Sequence, residues 1–162
     1  MSSREEILAL CDRIQEISFA LHSYLRHGHL EKVYENALAN RLRKAGTGVE
    51  QQYPLNVYDE DGTILGEYFA DLFAEDCPVV EIKACKALAD EHIAQLLGYL
   101  RACRVEHGLL INFGAPKLQI KEYILSQPHQ DSHKKAQQSQ SERTQRIHVE
   151  LRISSALLSL SS

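Results

Sequence analysis

The sequence predicts an α/β domain built on a mixed β-sheet, and three features of the chain predict it. Two helical stripes of apolar residues come first, and alternation of period two, broken by turn signals, follows. A helical stretch then separates two short apolar runs. In that order the elements describe an antiparallel meander followed by a parallel β-α-β crossover, with helices flanking the sheet.

The first helix opens on a capping-box pattern, Ser3 then Glu6, in which each side chain reaches the other residue's unpaired backbone amide. Ile7, Leu10, Cys11, Ile14, Ile17, Leu21 and Leu25 form its apolar stripe, and Gly28 interrupts it. A second helix is expected over about Leu30 to Lys44, with Leu30, Val33, Tyr34, Ala37, Leu38 and Leu42 facing inward. Gly46 is placed to end it.

The period then shortens. Tyr53 to Tyr58 reads as a strand whose Pro54 favours an edge or an entry position. Asp59 to Gly62 is a turn signal, and Thr63 to Ala74 reads as a long strand bent near Gly66. A turn over residues 75–78 leads into a third strand, Val79 to Lys83. Asp90 is expected to cap a helix running to about Arg104, with Ile93, Leu96, Leu97 and Leu100 on its apolar side. Gly108 to Phe113 has the unbroken apolar character of a buried strand. Leu118 and Ile120 suggest a last strand that loses regularity afterwards, and the domain is expected to span residues 1–126. Residues 127–146 are rich in Gln, Ser, His and Lys without apolar periodicity, so 127–162 reads as a flexible polar tail with a marginal strand at Ile147 to Ile153.

Bulk properties narrow the function. A composition 44% hydrophobic and 25% charged is that of an ordinary globular protein, and no apolar run reaches the roughly 20 residues of a membrane span. The N-terminus carries no leader-type apolar stretch, so the expected location is cytoplasmic. Cys11, Cys77, Cys85 and Cys103 lack the paired spacing of a zinc or redox motif and read as reduced thiols. Residues 1–126 carry 13 Lys/Arg against 19 Asp/Glu, and that acidic body argues against a protein that coats nucleic acid through phosphate neutralisation alone. It leaves room for a metal-assisted enzyme, because a bound cation changes the local charge.

The residues that can carry chemistry are Asp71 on one strand and Glu81-Ile82-Lys83 on the next. A short turn between the strands brings the two carboxylates side by side, and oxygen ligands of that kind suit Mg²⁺. Alternation puts Glu81 and Lys83 on one face, within reach of a common ligand. Taken alone, the same pattern reads more readily as exposed strand charges, with Lys83 paired to one carboxylate. Two further pairs flank them. Glu31 and Tyr34 share a helix face three residues apart, and Gln95 and Tyr99 do so four apart.

Residues 28–38 (GHLEKVYENAL), 66–72 (GEYFADL), 80–84 (VEIKA), 92–100 (HIAQLLGYL) and 108–117 (GLLINFGAPK) together resemble the GxxExxY protein family. That family is placed in the PD-(D/E)XK nuclease superfamily, near its RecB and lambda-exonuclease branch, and the resemblance covers about residues 5–125 in the expected order. It implies a restriction-endonuclease-like core and a divalent-metal-dependent nuclease acting on nucleic acid, with DNA as the expected polymer and no membrane partner. Self-association into a homo-oligomer is left open. By the same resemblance Asp71, Glu81, the Ile82 carbonyl and Glu31 would hold Mg²⁺ or Mn²⁺. Lys83 would orient or activate the attacking water, while Gln95 and Tyr99 would position the phosphate backbone or brace the lysine. Ala70 stands before Asp71 where the superfamily motif has proline. The alternative is a non-catalytic nucleic-acid-binding or protein-interaction module on the same fold.

Overall fold

The computed structural model describes residues 3–75 and 77–125. The expected polar tail, with its marginal strand, lies outside them. Eight elements follow in the order α1 (Arg4–Leu25), α2 (Glu31–Lys44), β1 (Val49–Tyr58), β2 (Ile64–Ala74), β3 (Val79–Lys83), α3 (Asp90–Cys103), β4 (His107–Asn112) and β5 (Gln119–Ile124). The strands lie side by side in sequence order. The β3–β4 pair is parallel and the other three pairs are antiparallel, so the mixed sheet with a meander and one crossover is as predicted.

Strand alternation divides the core into two layers. Val80, Ile82, Leu109 and Ile111 turn toward α1 and α2, where they meet Ile14, Leu21, Tyr34, Leu38 and Leu42. Val79 and Leu110 turn the other way and pack with Leu96 and Leu100 of α3. Each fully buried aliphatic side chain contributes roughly 1.5–3 kcal/mol. Because Val79 faces α3, so do Glu81 and Lys83 two and four residues on.

The Ser3–Glu6 capping box closes in both directions, at 2.7 and 3.2 Å. Between α1 and α2, Gly28 adopts φ +110°, which an L side chain rarely does. Tyr34 secures this turn. Its hydroxyl donates to the Arg26 carbonyl at 2.6 Å and accepts from the His29 amide at 3.2 Å, while its ring stacks on Phe113. The start of α2 is thereby held over the sheet. The bend expected near Gly66 is a register shift opposite Val57 and Tyr58.

Several expected details are corrected. Leu30 precedes α2 and is 77% exposed, and Val33 is 41% exposed, because the buried stripe runs through Tyr34, Glu35, Leu38, Ala39 and Leu42 instead. Ala89, not Asp90, is the N-cap of α3, and its amide donates to His92 Nδ1 at 3.0 Å. Strand β1 begins at Val49 rather than Tyr53, since its pairing with β2 already starts there. Strand β5 is regular to Ile124, held by six successive pairs with β4.

Asn112 links this framework to the loop after β3. Its Oδ1 accepts from the Cys85 and Gly114 amides, and its Nδ2 donates to the Cys85 carbonyl and to Gln119, so the buried amide is fully satisfied. The close approach needs a glycine. A Cβ on Gly114 would lie 2.3 Å from the Ala84 carbonyl carbon and from the Cys85 amide nitrogen, and backbone atoms cannot swing aside. Gly114→Ala is therefore expected to cost about 3 kcal/mol or more, lowering the thermal midpoint by roughly 10 °C. Calorimetry on the two proteins checks this, and an unchanged midpoint would contradict the packing described.

Candidate functional site

Strands β2 and β3 share only two backbone pairs, Leu72 with Val80 and Phe73 with Val79. Beyond them carboxylates take over from carbonyls. The Asp71 amide donates to Glu81 Oε1 at 3.3 Å, and the Ile82 amide donates to Asp71 Oδ2 at 2.8 Å. The two acids are thus interlocked across the fork where the strands part. Lys83 reaches back along its own strand, with Nζ 3.3 Å from Glu81 Oε2. The Lys83 carbonyl accepts the Phe113 amide on the β4 side, so by strand alternation the Ile82 carbonyl is directed to the β2 side, into the fork.

Helix α2 lines the fork with acid. Glu31, its first residue, is exposed at the helix start, yet its charge is felt by both Asp71 and Lys83. One turn further on, Glu35 is buried and well partnered. It accepts from Lys32 at 2.6 Å, from Gln51 at 2.9 Å and from Gln52 at 3.0 Å. The same Gln52 amide lies 3.4 Å from Asp71 Oδ1, bridging the two carboxylates. Gln52 holds φ +53° within β1, an unusual state for a residue with a side chain and a local strain that places this amide between two acids.

On the other side stands α3. Gln95 donates to the Tyr99 hydroxyl at 2.8 Å, and Tyr99 is buried against Tyr68. Tyr99 feels the charges of Glu81, Lys83 and Asp71. Gln95 hydrogen-bonds to Tyr99, not to Lys83. Past these two residues opens a groove of about 690 Å³, lined by Tyr58, Tyr68, Gly98, Arg101 and Arg104 among others. It adjoins the carboxylates without containing them.

Electrostatics follow from this geometry. Burial, and then the neighbouring Asp71, push the Glu81 carboxyl up to about 8, against the pull of Lys83. Asp71 is also raised, first by burial and further by Glu31 and Glu35, with the Ile82 amide and Lys83 opposing. Burial alone would lower Lys83, but Glu81, Glu31 and Asp71 more than offset it, and the ammonium is held above its ordinary range. Four acidic groups thus share two ammonium groups, those of Lys32 and Lys83, and Glu81 keeps its proton up to about 8. Acids crowded closely enough to hold back ionisation, with oxygen donors only, make the environment a hard divalent cation relieves. The donors fit such an ion: Asp71 and Glu81 supply two carboxylates and Ile82 a carbonyl.

A family profile described as the PD-(D/E)XK nuclease superfamily matches residues 9–123. The chain belongs to that superfamily. Its five-stranded mixed sheet with flanking helices agrees with the restriction-endonuclease-like core expected of such a member. No curated protein and no solved structure gives a significant match.

The residues singled out from sequence fall into two ranks about this fork, with Tyr34 apart from it at the α1–α2 turn. Asp71, Glu81, Ile82 and Lys83 touch directly, Glu31 and Tyr99 are linked to them only through charge, and Gln95 contacts Tyr99 alone. Sequence reasoning missed Glu35 and Gln52. Glu35 stands one helical turn after Glu31, a spacing that was a usable signal. For Gln52 there was none, because its place depends on a backbone conformation no side-chain pattern reveals.

Proposed function

We propose that this chain is a divalent-metal-dependent nuclease of the GxxExxY type, hydrolysing phosphodiester bonds of nucleic acid, with DNA the first candidate. The observation that carries the reading is the interlocked pair of Asp71 and Glu81, with Lys83 at 3.3 Å on the same face. A bound Mg²⁺ or Mn²⁺ would polarise the phosphoryl oxygen and lower the pKa of water.

The chain's own residues have distinct roles in this reading. Asp71, Glu81 and the Ile82 carbonyl would hold the ion, and Glu31 adds negative charge at the rim. Gln52 steadies Asp71 through its 3.4 Å contact and fixes Glu35 beside it. Lys83, its pKa raised, works as an ammonium rather than as a free-amine base. It orients water and stabilises charge on the phosphate. Gln95 and Tyr99 form a hydrogen-bonded ledge between the acids and the groove. There Arg101 and Arg104 offer cations to phosphates, and the half-exposed rings of Tyr58 and Tyr68 offer surfaces on which unpaired bases can stack.

The test is a substrate panel. Labelled linear DNA, circular DNA and RNA are incubated with purified full-length protein in Mg²⁺, Mn²⁺ or chelator. Metal-dependent cleavage of at least one polymer is expected, and the circular substrate separates attack at ends from attack in the interior. Binding without turnover on any of them, by folded protein that takes up Mn²⁺, would move the reading to a non-catalytic module.

A further inference from the structure

A second group of ligand-type atoms lies near α1 and the β4–β5 edge, built from residues the nuclease reading does not use. The Cys11 thiol, a ring nitrogen of His107 and a Glu122 carboxylate oxygen all lie within 4.8 Å of one another. They come from α1, β4 and β5. Leu109 pairs with Glu122 and His107 with Ile124, so the His107 and Glu122 side chains emerge on the same face of the sheet, the one that α1 covers.

An independent observation points to a ligand. His107 is only 3% exposed, yet its Nδ1 has no hydrogen-bond partner. Buried polar atoms are almost always satisfied, because leaving one unmade costs about 1–3 kcal/mol. Glu122 Oε1 lies 3.6 Å from this nitrogen, too far for a hydrogen bond. It is close to the separation of two ligands on one tetrahedral ion: at bond lengths near 2.1 Å such ligands stand roughly 3.4 Å apart.

We infer that Cys11, His107 and Glu122 form a binding site for a thiophilic divalent cation of the Zn²⁺ class, separate from the nuclease centre. Thiolate, imidazole and carboxylate make a zinc-type set, with one position left for water. The sulfur selects against Mg²⁺, which prefers oxygen donors only, so the two sites sort their ions by chemistry. Without an ion, burial and the Glu122 carboxylate hold the Cys11 thiol up at about 12, so metal entry releases its proton. The bound ion satisfies His107 Nδ1 and clamps α1 to the last two strands.

Co²⁺ titrated into the full-length protein reads the site directly, because a cobalt–thiolate bond gives a near-ultraviolet charge-transfer band that the all-oxygen fork cannot produce. Saturation at one equivalent, displacement by Zn²⁺ and indifference to excess Mg²⁺ are expected. The band should persist in Asp71→Ala and vanish in Cys11→Ala. Glu122→Gln, at a partly exposed position that leaves the core untouched, should weaken Co²⁺ at least tenfold and also covers the case in which the Cys11 variant fails to fold. Zn²⁺ at a hundredfold excess over its Kd should raise the thermal midpoint by about 5–10 °C, an increase Glu122→Gln reduces. No thiolate band in the wild-type protein would overturn the site. So would a band that survives Cys11→Ala, or unaltered affinity in Glu122→Gln.

Discussion

Lys83→Ala is expected to lower cleavage about 10³-fold while leaving the fold and Mn²⁺ uptake nearly unchanged. The size follows from the role of the ammonium, since a single positioned donor to developing charge in a half-buried site contributes about 10²–10³ in rate, or roughly 3–4 kcal/mol. The separation of effects follows from geometry. The Asp71 and Ile82 amides, not Lys83, hold the two carboxylates in register, so the ligand pair survives the loss of the ammonium. Single-turnover cleavage and calorimetric Mn²⁺ binding on the same preparations separate the two. Unchanged turnover would remove Lys83 from the mechanism, and lost Mn²⁺ binding would make it a structural residue.

The second large effect is a reversal of pH dependence by metal. The folded-state pKa of Glu81 is raised to about 8 from an ordinary value near 4.5, so between those values the folded chain holds a proton that the unfolded chain has lost. Stability is then fully present below pH 4.5 and is lost as pH rises through about 8. The loss is on the order of a few kcal/mol. Asp71, also raised, contributes in the same direction. Lys83, raised from 10.5, changes nothing below that pH. Denaturation midpoints in chelator should therefore fall from pH 5 to pH 8, and Glu81→Gln should flatten the fall. With saturating Mn²⁺ the trend should weaken or invert, because the ion binds the deprotonated acids. Midpoints in chelator that rise with pH would contradict the electrostatics of the fork.

Much of this molecule was legible in its sequence because the relevant signals are local. Val79 to Lys83 shows its burial and the face shared by Glu81 and Lys83 in five letters, and Ser3 with Glu6 marks a helix start that the structure reproduces. What stayed hidden depends on distance or on exceptions. Glu35 is a carboxylate at a buried position, kept there by Lys32, Gln51 and Gln52, and hydrophobic patterning, which assigns acids to the surface, masks the signal of its spacing from Glu31. Leu30 and Val33 err in the opposite sense, as apolar residues left outside when α2 turns Tyr34 and Leu38 inward. Cys11, His107 and Glu122 sit on three elements with no shared motif, so only the packing of α1 over the β4–β5 edge brings them together.

The most direct test of the central claim is cleavage of labelled linear DNA by wild-type protein and by Asp71→Ala, purified in parallel and followed across a Mg²⁺ titration. The account predicts a rate that rises with Mg²⁺ in the wild-type protein, vanishes in chelator and is absent from the variant at every concentration. Equal cleavage by both proteins, or cleavage that persists in chelator, would show that the Asp71–Glu81 fork is not where the chemistry occurs.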